Sequence, residues 1–121
     1  MKKNILIIED DEFFRELISK KLISGGFKIS EAVDGKTGLE KVKESKPDLI
    51  LLDILLPGID GFEVLSSLKQ DSQTLSIPII ILSNLSSKED VEKGLKLGAS
   101  DFLIKSQVDS EEVIKKINSF L

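Results

Sequence analysis

Three uninterrupted aliphatic runs constrain the fold more than any other feature of this sequence. Residues 5–8, 49–52 and 79–82 contain only isoleucine and leucine. Near-continuous apolar sequence of this kind is typical of strands buried on both faces, because helices cover both sides of a parallel sheet. Stretches with helical periodicity lie between the runs, and this alternation predicts the α/β class with a parallel sheet.

Turn and capping residues divide the chain into five predicted strands that alternate with five predicted helices. The strands are expected at 4–8, 27–32, 48–53, 79–83 and 101–104. The helices are expected at about 12–24, from 35 to the residue before Pro47, at 62–70, between capping-box residues 86–89 and Gly98, and from 109 or 110 onward. Right-handed crossovers favour the doubly wound strand order 2-1-3-4-5 in one domain, residues 1–121. Helical periodicity places Leu17, Leu95 and Leu121 among the residues that face the sheet.

Acidic residues follow two of the aliphatic runs. Glu9 and Asp10 come directly after the first run, and Asp53 follows the second. Because the carboxyl ends of adjacent parallel strands open onto one crevice, we expect these three side chains to converge. Crowded carboxylates raise each other's pKa, and a divalent cation relieves their repulsion. One of the carboxylates could then act as a nucleophile. Ser83 and Lys105, at the ends of strands 4 and 5, place a hydroxyl and an ammonium beside the acids.

Composition excludes several classes of function. The chain lacks histidine and cysteine, which removes Ser-His-Asp and Cys-His catalysis, disulfides and thiolate metal sites. The formal net charge is −4, without a basic stripe, so nucleic-acid binding by this domain is not expected. No apolar stretch approaches the roughly 20 residues of a membrane span, and the N-terminus does not resemble a signal peptide. A cytoplasmic location is therefore expected.

Four segments resemble the receiver domain of two-component response regulators, and the resemblance covers essentially the whole chain. They are residues 5–11, 47–61, 77–83 and 98–105. Each would be weak alone, but the four occur in order with matching separations.

The resemblance implies a role for each candidate site residue. Asp53 would accept a phosphoryl group from a histidine kinase or histidine phosphotransferase. Mg²⁺ would be the cofactor, held by Glu9, Asp10, Asp53 and the backbone carbonyl of Leu55. Ser83 and Lys105 would contact the phosphoryl oxygens. The domain would not be an enzyme in the usual sense, since it would catalyse only its own phosphorylation and dephosphorylation.

The resemblance also implies a switch. Ser83 would move toward the phosphoryl group while Phe102 turns inward behind it, and the surface from the fourth to the fifth helix would be read by a downstream protein target or an output domain. Related domains often dimerise through this region on phosphorylation, and the sequence leaves open whether this one does. It also leaves open a stand-alone domain or a piece of a longer regulator.

Two departures from the family pattern keep an alternative function open. Ser106 stands where the family usually has a proline joined by a cis bond, and apolar Leu55 and Leu85 lie two residues beyond Asp53 and Ser83. These residues favour an interaction module of the same fold that does not use phosphorylation. The intact set of Glu9, Asp10, Asp53, Ser83 and Lys105 favours phosphorylation. An aspartyl phosphatase would need a second acid two residues after a nucleophile on strand 1. A flavodoxin-like carrier would need a glycine- and hydroxyl-rich phosphate loop there.

Overall fold

The structure, a computed structural model, describes residues 2–121, and Met1 of the predicted domain lies outside them. Five parallel strands form one sheet in the order 2-1-3-4-5, as predicted. The strands are β1 (Asn4–Ile8), β2 (Lys28–Ala32), β3 (Leu49–Leu52), β4 (Ile79–Ser83) and β5 (Asp101–Ile104). The helices are α1 (Glu12–Ser24), α2 (Gly35–Ser45), α3 (Gly61–Gln70), α4 (Lys88–Lys96) and α5 (Ser110–Ser119). A short 3₁₀ turn, Lys105–Gln107, follows β5.

Helices cover both faces of the sheet, which explains the aliphatic runs. Successive strand residues point to opposite faces. Within β1, Ile5 and Ile7 belong to a cluster with α1 and α5, whereas Leu6 and Ile8 belong to a second cluster that includes residues of α2 and α3. Every residue of β3 is buried. A strand with polar residues on one face could not occupy this central position without burying them unpaired.

Each of the five helices begins with a side-chain hydrogen bond at its N-cap residue. A side chain at each of five N-cap positions accepts a hydrogen bond from a backbone amide three residues ahead, which satisfies a donor that the helix itself leaves free. The N-cap residues are Asp11, Asp34, Asp60, Ser87 and Asp109. Because Asp11 directly follows Asp10, its cap fixes how the chain leaves the crevice at the end of β1.

Several details of the sequence-based assignment are wrong. Leu17, Leu95 and Leu121 were expected to face the sheet, but they are 46%, 45% and 41% exposed. On α4 the buried residue is Gly94, so a glycine rather than a leucine makes the close approach to the sheet. Predicted strand ends extend one residue too far at 27, 48 and 53. Among residues 2–121, no helix combines the length and apolarity needed to cross a bilayer.

Candidate phosphoacceptor and metal site

The register of the central strands brings the acidic residues together. Ile8 of β1 is paired with Leu52 of β3, so the residues that follow them leave the sheet at the same level. The amide of Asp53 continues the ladder by donating to the carbonyl of Ile8 at 3.0 Å. Carboxylate oxygens of Glu9, Asp10 and Asp53 lie within 4.8 Å of one another. Glu9 and Asp53 are buried, while Asp10 is exposed at the mouth of the crevice.

Lys105 lies against two of these carboxylates. Its Nζ donates to Asp53 Oδ2 at 3.0 Å and also pairs with Glu9 Oε1. The lysine side chain is 12% exposed, and each carboxylate partner is 6% exposed. The sequence placed Lys105 beside the acids but did not predict the ion pair with Glu9. All peptide bonds of residues 2–121 are trans, so the Lys105–Ser106 bond is trans as well.

Burial and the neighbouring charges shift the ionisation of the two paired groups. Burial raises the pKa of Glu9 to about 7, and the Asp53 carboxylate adds to that effect, while the bond to Lys105 opposes it. Burial alone would lower the pKa of Lys105, but Glu9 and Asp53 together outweigh it and raise that pKa. The site therefore holds a firmly charged ammonium beside a glutamate that is easily protonated.

The remaining predicted site residues lie around the acids. Ser83 is fully buried at the end of β4, and its Oγ accepts from the Leu85 amide at 3.5 Å. The Leu55 amide donates to Asp53 Oδ1 at 3.2 Å, so the backbone of Leu55 lies beside the Asp53 carboxylate. The Leu55 side chain is 54% exposed. Phe102 is buried on β5 next to α4. The inward turn of this ring on phosphorylation stays a prediction.

Two supporting residues were not identified from the sequence. Arg15 Nη1 donates to the backbone carbonyl of Glu9 at 2.9 Å, and this bond ties α1 to the acidic loop. A Cβ on Gly61 would collide with the carbonyl oxygen of Asp53 and lie 2.6 Å from Ile54 Cα. The start of α3 therefore packs on the backbone of the acidic strand end at a distance only glycine allows.

The donor set fits a small hard cation. Mg²⁺ prefers oxygen ligands and retains several waters, so a few carboxylates at an open crevice suffice. Lys105 occupies one oxygen of Glu9 and one of Asp53, and the second oxygens accept only single amide bonds, from Asp11 and Leu55. A carboxylate oxygen has two acceptor positions. Each buried carboxylate thus keeps capacity for a cation beside exposed Asp10.

The fold and these residues define a receiver domain. The family model for the response regulator receiver domain matches residues 5–118, so the chain belongs to that family. It is 38% identical over 117 residues to the DNA-binding dual master transcriptional regulator RpaA of Synechocystis, covering 97% of this chain and 48% of RpaA. The chain thus spans about half the length of that relative.

Solved structures agree with this assignment. The chemotaxis response regulator CheY4 of Vibrio cholerae superimposes with a TM-score of 0.92 at 27% identity, with 100% of both chains covered. The CheX-CheY-BeF3-Mg+2 complex of Borrelia burgdorferi gives a TM-score of 0.88 at 29% identity, covering 97% of this chain and 87% of that chain. The predicted fold and family are therefore confirmed.

Proposed function

We propose that this receiver domain takes a phosphoryl group from a partner phosphohistidine onto Asp53 in a magnesium-dependent reaction. The observation that carries the proposal is the convergence of three carboxylates and one ammonium at the carboxyl ends of adjacent strands. A purely structural role would not explain two buried carboxylates side by side, because burying charge is costly. A phosphoryl-transfer site needs both the negative nucleophile and the groups that offset the added charge.

The proposed step balances without a further reactant. A carboxylate oxygen of Asp53 attacks the phosphorus of the phosphohistidine and forms an acyl-phosphate O–P bond. The P–N bond to the donor imidazole breaks, and the departing nitrogen keeps the electron pair and takes up a proton from solvent. The domain supplies alignment and charge compensation, while the donor supplies the energetic bond.

The chain's own residues divide the work. Lys105 already contacts Asp53 and can follow the incoming phosphoryl oxygens as a compact positive charge. Ser83 offers a hydroxyl donor from the neighbouring strand end. Glu9, Asp10, Asp53 and the Leu55 carbonyl are the expected magnesium ligands. When bound, the cation neutralises charge on the transferred group and on the crowded carboxylates.

The partners follow from the same proposal. The donor is a histidine kinase or histidine phosphotransferase, and a cytoplasmic location goes with it. The reader of the phosphorylated state is a downstream protein or an output domain that contacts the surface from α4 to α5. RpaA is a DNA-binding transcriptional regulator by name, and it is about twice as long as the matched region. This relative supports an output function outside the matched region, while the net charge of −4 and the lack of a basic stripe argue against nucleic-acid binding by the receiver itself.

Intact-mass measurement after incubation with Mg²⁺ and phosphoramidate tests the proposal. Phosphoramidate carries the P–N bond of a phosphohistidine without requiring the unidentified kinase. We expect one phosphoryl adduct that disappears with EDTA and in Asp53→Asn. Asp11→Asn is the matched control, because Asp11 lies on the same loop and asparagine caps a helix as well as aspartate does.

The outcome also decides between the two candidate functions. An adduct in the wild type and Asp11→Asn, but not in Asp53→Asn, supports the phosphoacceptor. No adduct in the wild type, with Mg²⁺ leaving the melting temperature unchanged, would favour the interaction module that does not use phosphorylation. An adduct that persists in Asp53→Asn would place the acceptor elsewhere and overturn the assignment of Asp53.

A further inference from the structure

We propose that Phe14 is a positioning residue for Lys105, holding the ammonium in place for the reaction at Asp53. The inference rests on the proposed function and adds a residue to it. The Lys105 Nζ lies 4.4 Å from the centroid of the Phe14 ring. The face of an aromatic ring carries partial negative charge and attracts a cation within about 6 Å.

The backbone at Lys105 does little to restrict the conformation of the lysine side chain. Lys105 opens the 3₁₀ turn Lys105–Gln107, which has no side-chain cap. The next two residues, Ser106 and Gln107, are exposed. A lysine side chain has four rotatable bonds and loses much conformational freedom when its end is fixed. The position of the ammonium is therefore determined mainly by what surrounds it at the far end.

Three neighbours surround that end. An ammonium has three N–H donors, and the carboxylates of Glu9 and Asp53 each accept from it. The Phe14 ring is the third neighbour, and it attracts the ammonium through its face without replacing either carboxylate as a hydrogen-bond acceptor. When a phosphoryl group adds to Asp53, the lysine must transfer a hydrogen bond to a phosphoryl oxygen. A ring face can keep hold of the ammonium during that shift, because cation–π attraction tolerates small sideways movement.

Phe14 is itself well fixed. Its amide donates to the N-cap Asp11 at 3.2 Å, which sets the residue in the first turn of α1. Its side chain packs against the apolar cluster shared by α1 and α5, and it lines a small hollow together with Glu9, Asp53 and Leu82. The adjacent Phe13 is 79% exposed. The two phenylalanines thus differ in environment, which provides an internal control.

The rate of phosphorylation by phosphoramidate with Mg²⁺ tests this role. We expect Phe14→Leu, which keeps an apolar side chain but removes the ring, to react about fivefold more slowly, a change equivalent to about 1 kcal/mol. Phe14→Tyr retains the ring face and should react at nearly the wild-type rate. Phe13→Leu should also match the wild type. The inference would be overturned if Phe14→Leu reacted at the wild-type rate. It would also be overturned if Phe14→Tyr lost as much phosphorylation rate as Phe14→Leu.

A double-mutant cycle and a spectrum distinguish positioning from a structural effect. If Phe14 acts through Lys105, Phe14→Leu should cause no further loss of rate in a Lys105→Met background. The ε-methylene protons of Lys105 should show an upfield ring-current shift that Phe14→Leu abolishes and Phe14→Tyr preserves. The inference would be overturned if the rate losses of Phe14→Leu and Lys105→Met were additive, or if the lysine resonance were unshifted in the wild type. A phosphoryl adduct on Asp53 would still support the proposed function in that case. A wild type without any adduct would instead remove the proposed function and this inference together.

Discussion

Replacing Glu9 by glutamine separates the cost of a buried charge from the benefit of its ion pair. Glu9 is 5% exposed, lies beside Asp53 and pairs with Lys105. Burial dominates these effects and raises its pKa from 4.5 to about 7. Glutamine has nearly the same shape as the protonated acid, so Glu9→Gln mimics the neutral state at every pH. Lys105 keeps its partner Asp53 in the variant.

The pKa shift sets the sign and the size of the effect. A glutamate that holds its proton more tightly in the folded state stabilises the fold fully below pH 4.5, and this contribution is lost as pH rises to about 7. Each tenfold change in the ionisation constant corresponds to about 1.4 kcal/mol, which gives a ceiling of about 3 kcal/mol. Solvent enters the crevice near exposed Asp10, and screening reduces the expected effect to about 1–2 kcal/mol. Typical domains have total stabilities of about 5–15 kcal/mol, so this loss is measurable.

Urea unfolding in EDTA at pH 5 and pH 8 measures the effect. We expect Glu9→Gln to come within about 0.5 kcal/mol of the wild type at pH 5 and to exceed its free energy of unfolding by about 1–2 kcal/mol at pH 8. Glu16→Gln is the control, because Glu16 is exposed on α1, and it should keep the wild-type pH dependence. A Glu9→Gln variant that is less stable than the wild type at pH 8 would refute the reasoning, because the ion pair with Lys105 would then outweigh the burial cost. Added Mg²⁺ should stabilise the wild type more than the variant, since glutamine is a neutral ligand.

Three further substitutions test the supporting structure. Lys46 has a φ of 45°, so Lys46→Gly should raise the free energy of unfolding by about 1 kcal/mol in urea titrations, and no gain would mean that the strain is absent. Gly61→Ala places a methyl group against the Asp53 carbonyl and should lower the free energy of unfolding by more than about 2 kcal/mol and reduce the phosphoryl adduct; a variant like the wild type would contradict the close packing. Asp109→Ala removes a capping box and should destabilise the protein by about 1 kcal/mol in thermal melts, whereas Asp109→Asn should not.

The order of the elements could be predicted because each depends on local sequence. An uninterrupted aliphatic run such as residues 49–52 must be buried on both sides, and the acidic or glycine residues beside it mark where the strand stops. The faces of the helices were harder to predict. Leu17 and Leu95 fit the helical period, yet both are nearly half exposed. A short helix that crosses the sheet contacts it along a narrow line, and the period alone does not show where that line begins.

The candidate site could be predicted to the level of which residues meet, but not how they are supported. Glu9, Asp10 and Asp53 converge because β1 and β3 are neighbours and their register pairs Ile8 with Leu52, the last residues before the acids. The bond from Arg15 to the Glu9 carbonyl depends on the angle at which α1 leaves the sheet. The contact of Phe14 with Lys105 joins residues 91 positions apart in the numbering. Such contacts depend on three-dimensional packing and carry no periodic signal in the chain.

Gly94 on α4 offers a test of how tightly Phe102 is seated. A Cβ added at Gly94 would lie 2.7 Å from Ile81 Cδ1 and 3.0 Å from Phe102 Cδ2. Alanine in a helix interior is ordinarily favoured over glycine by about 1 kcal/mol. Here the methyl group requires Ile81 and the aromatic ring to move. We therefore expect Gly94→Ala to give no gain in the free energy of unfolding and to change the chemical shifts of the Phe102 ring.

Combining Gly94→Ala with Phe102→Val shows whether the ring is what opposes the methyl group. Valine lacks the δ carbons that the new Cβ would contact, so in this background Gly94→Ala should recover part of the helix-propensity gain of about 1 kcal/mol, while Ile81 Cδ1 still lies 2.7 Å from the new Cβ. The difference between the two backgrounds is the coupling energy of the pair, and residues in direct contact should show about 0.5–3 kcal/mol. A full gain in the wild-type background with unchanged Phe102 shifts would mean that α4 yields to the methyl group. In that case α4, rather than Phe102, would be the mobile side of the contact between Gly94 and Phe102. A switch acting through Phe102 would then move the helix before it moved the ring.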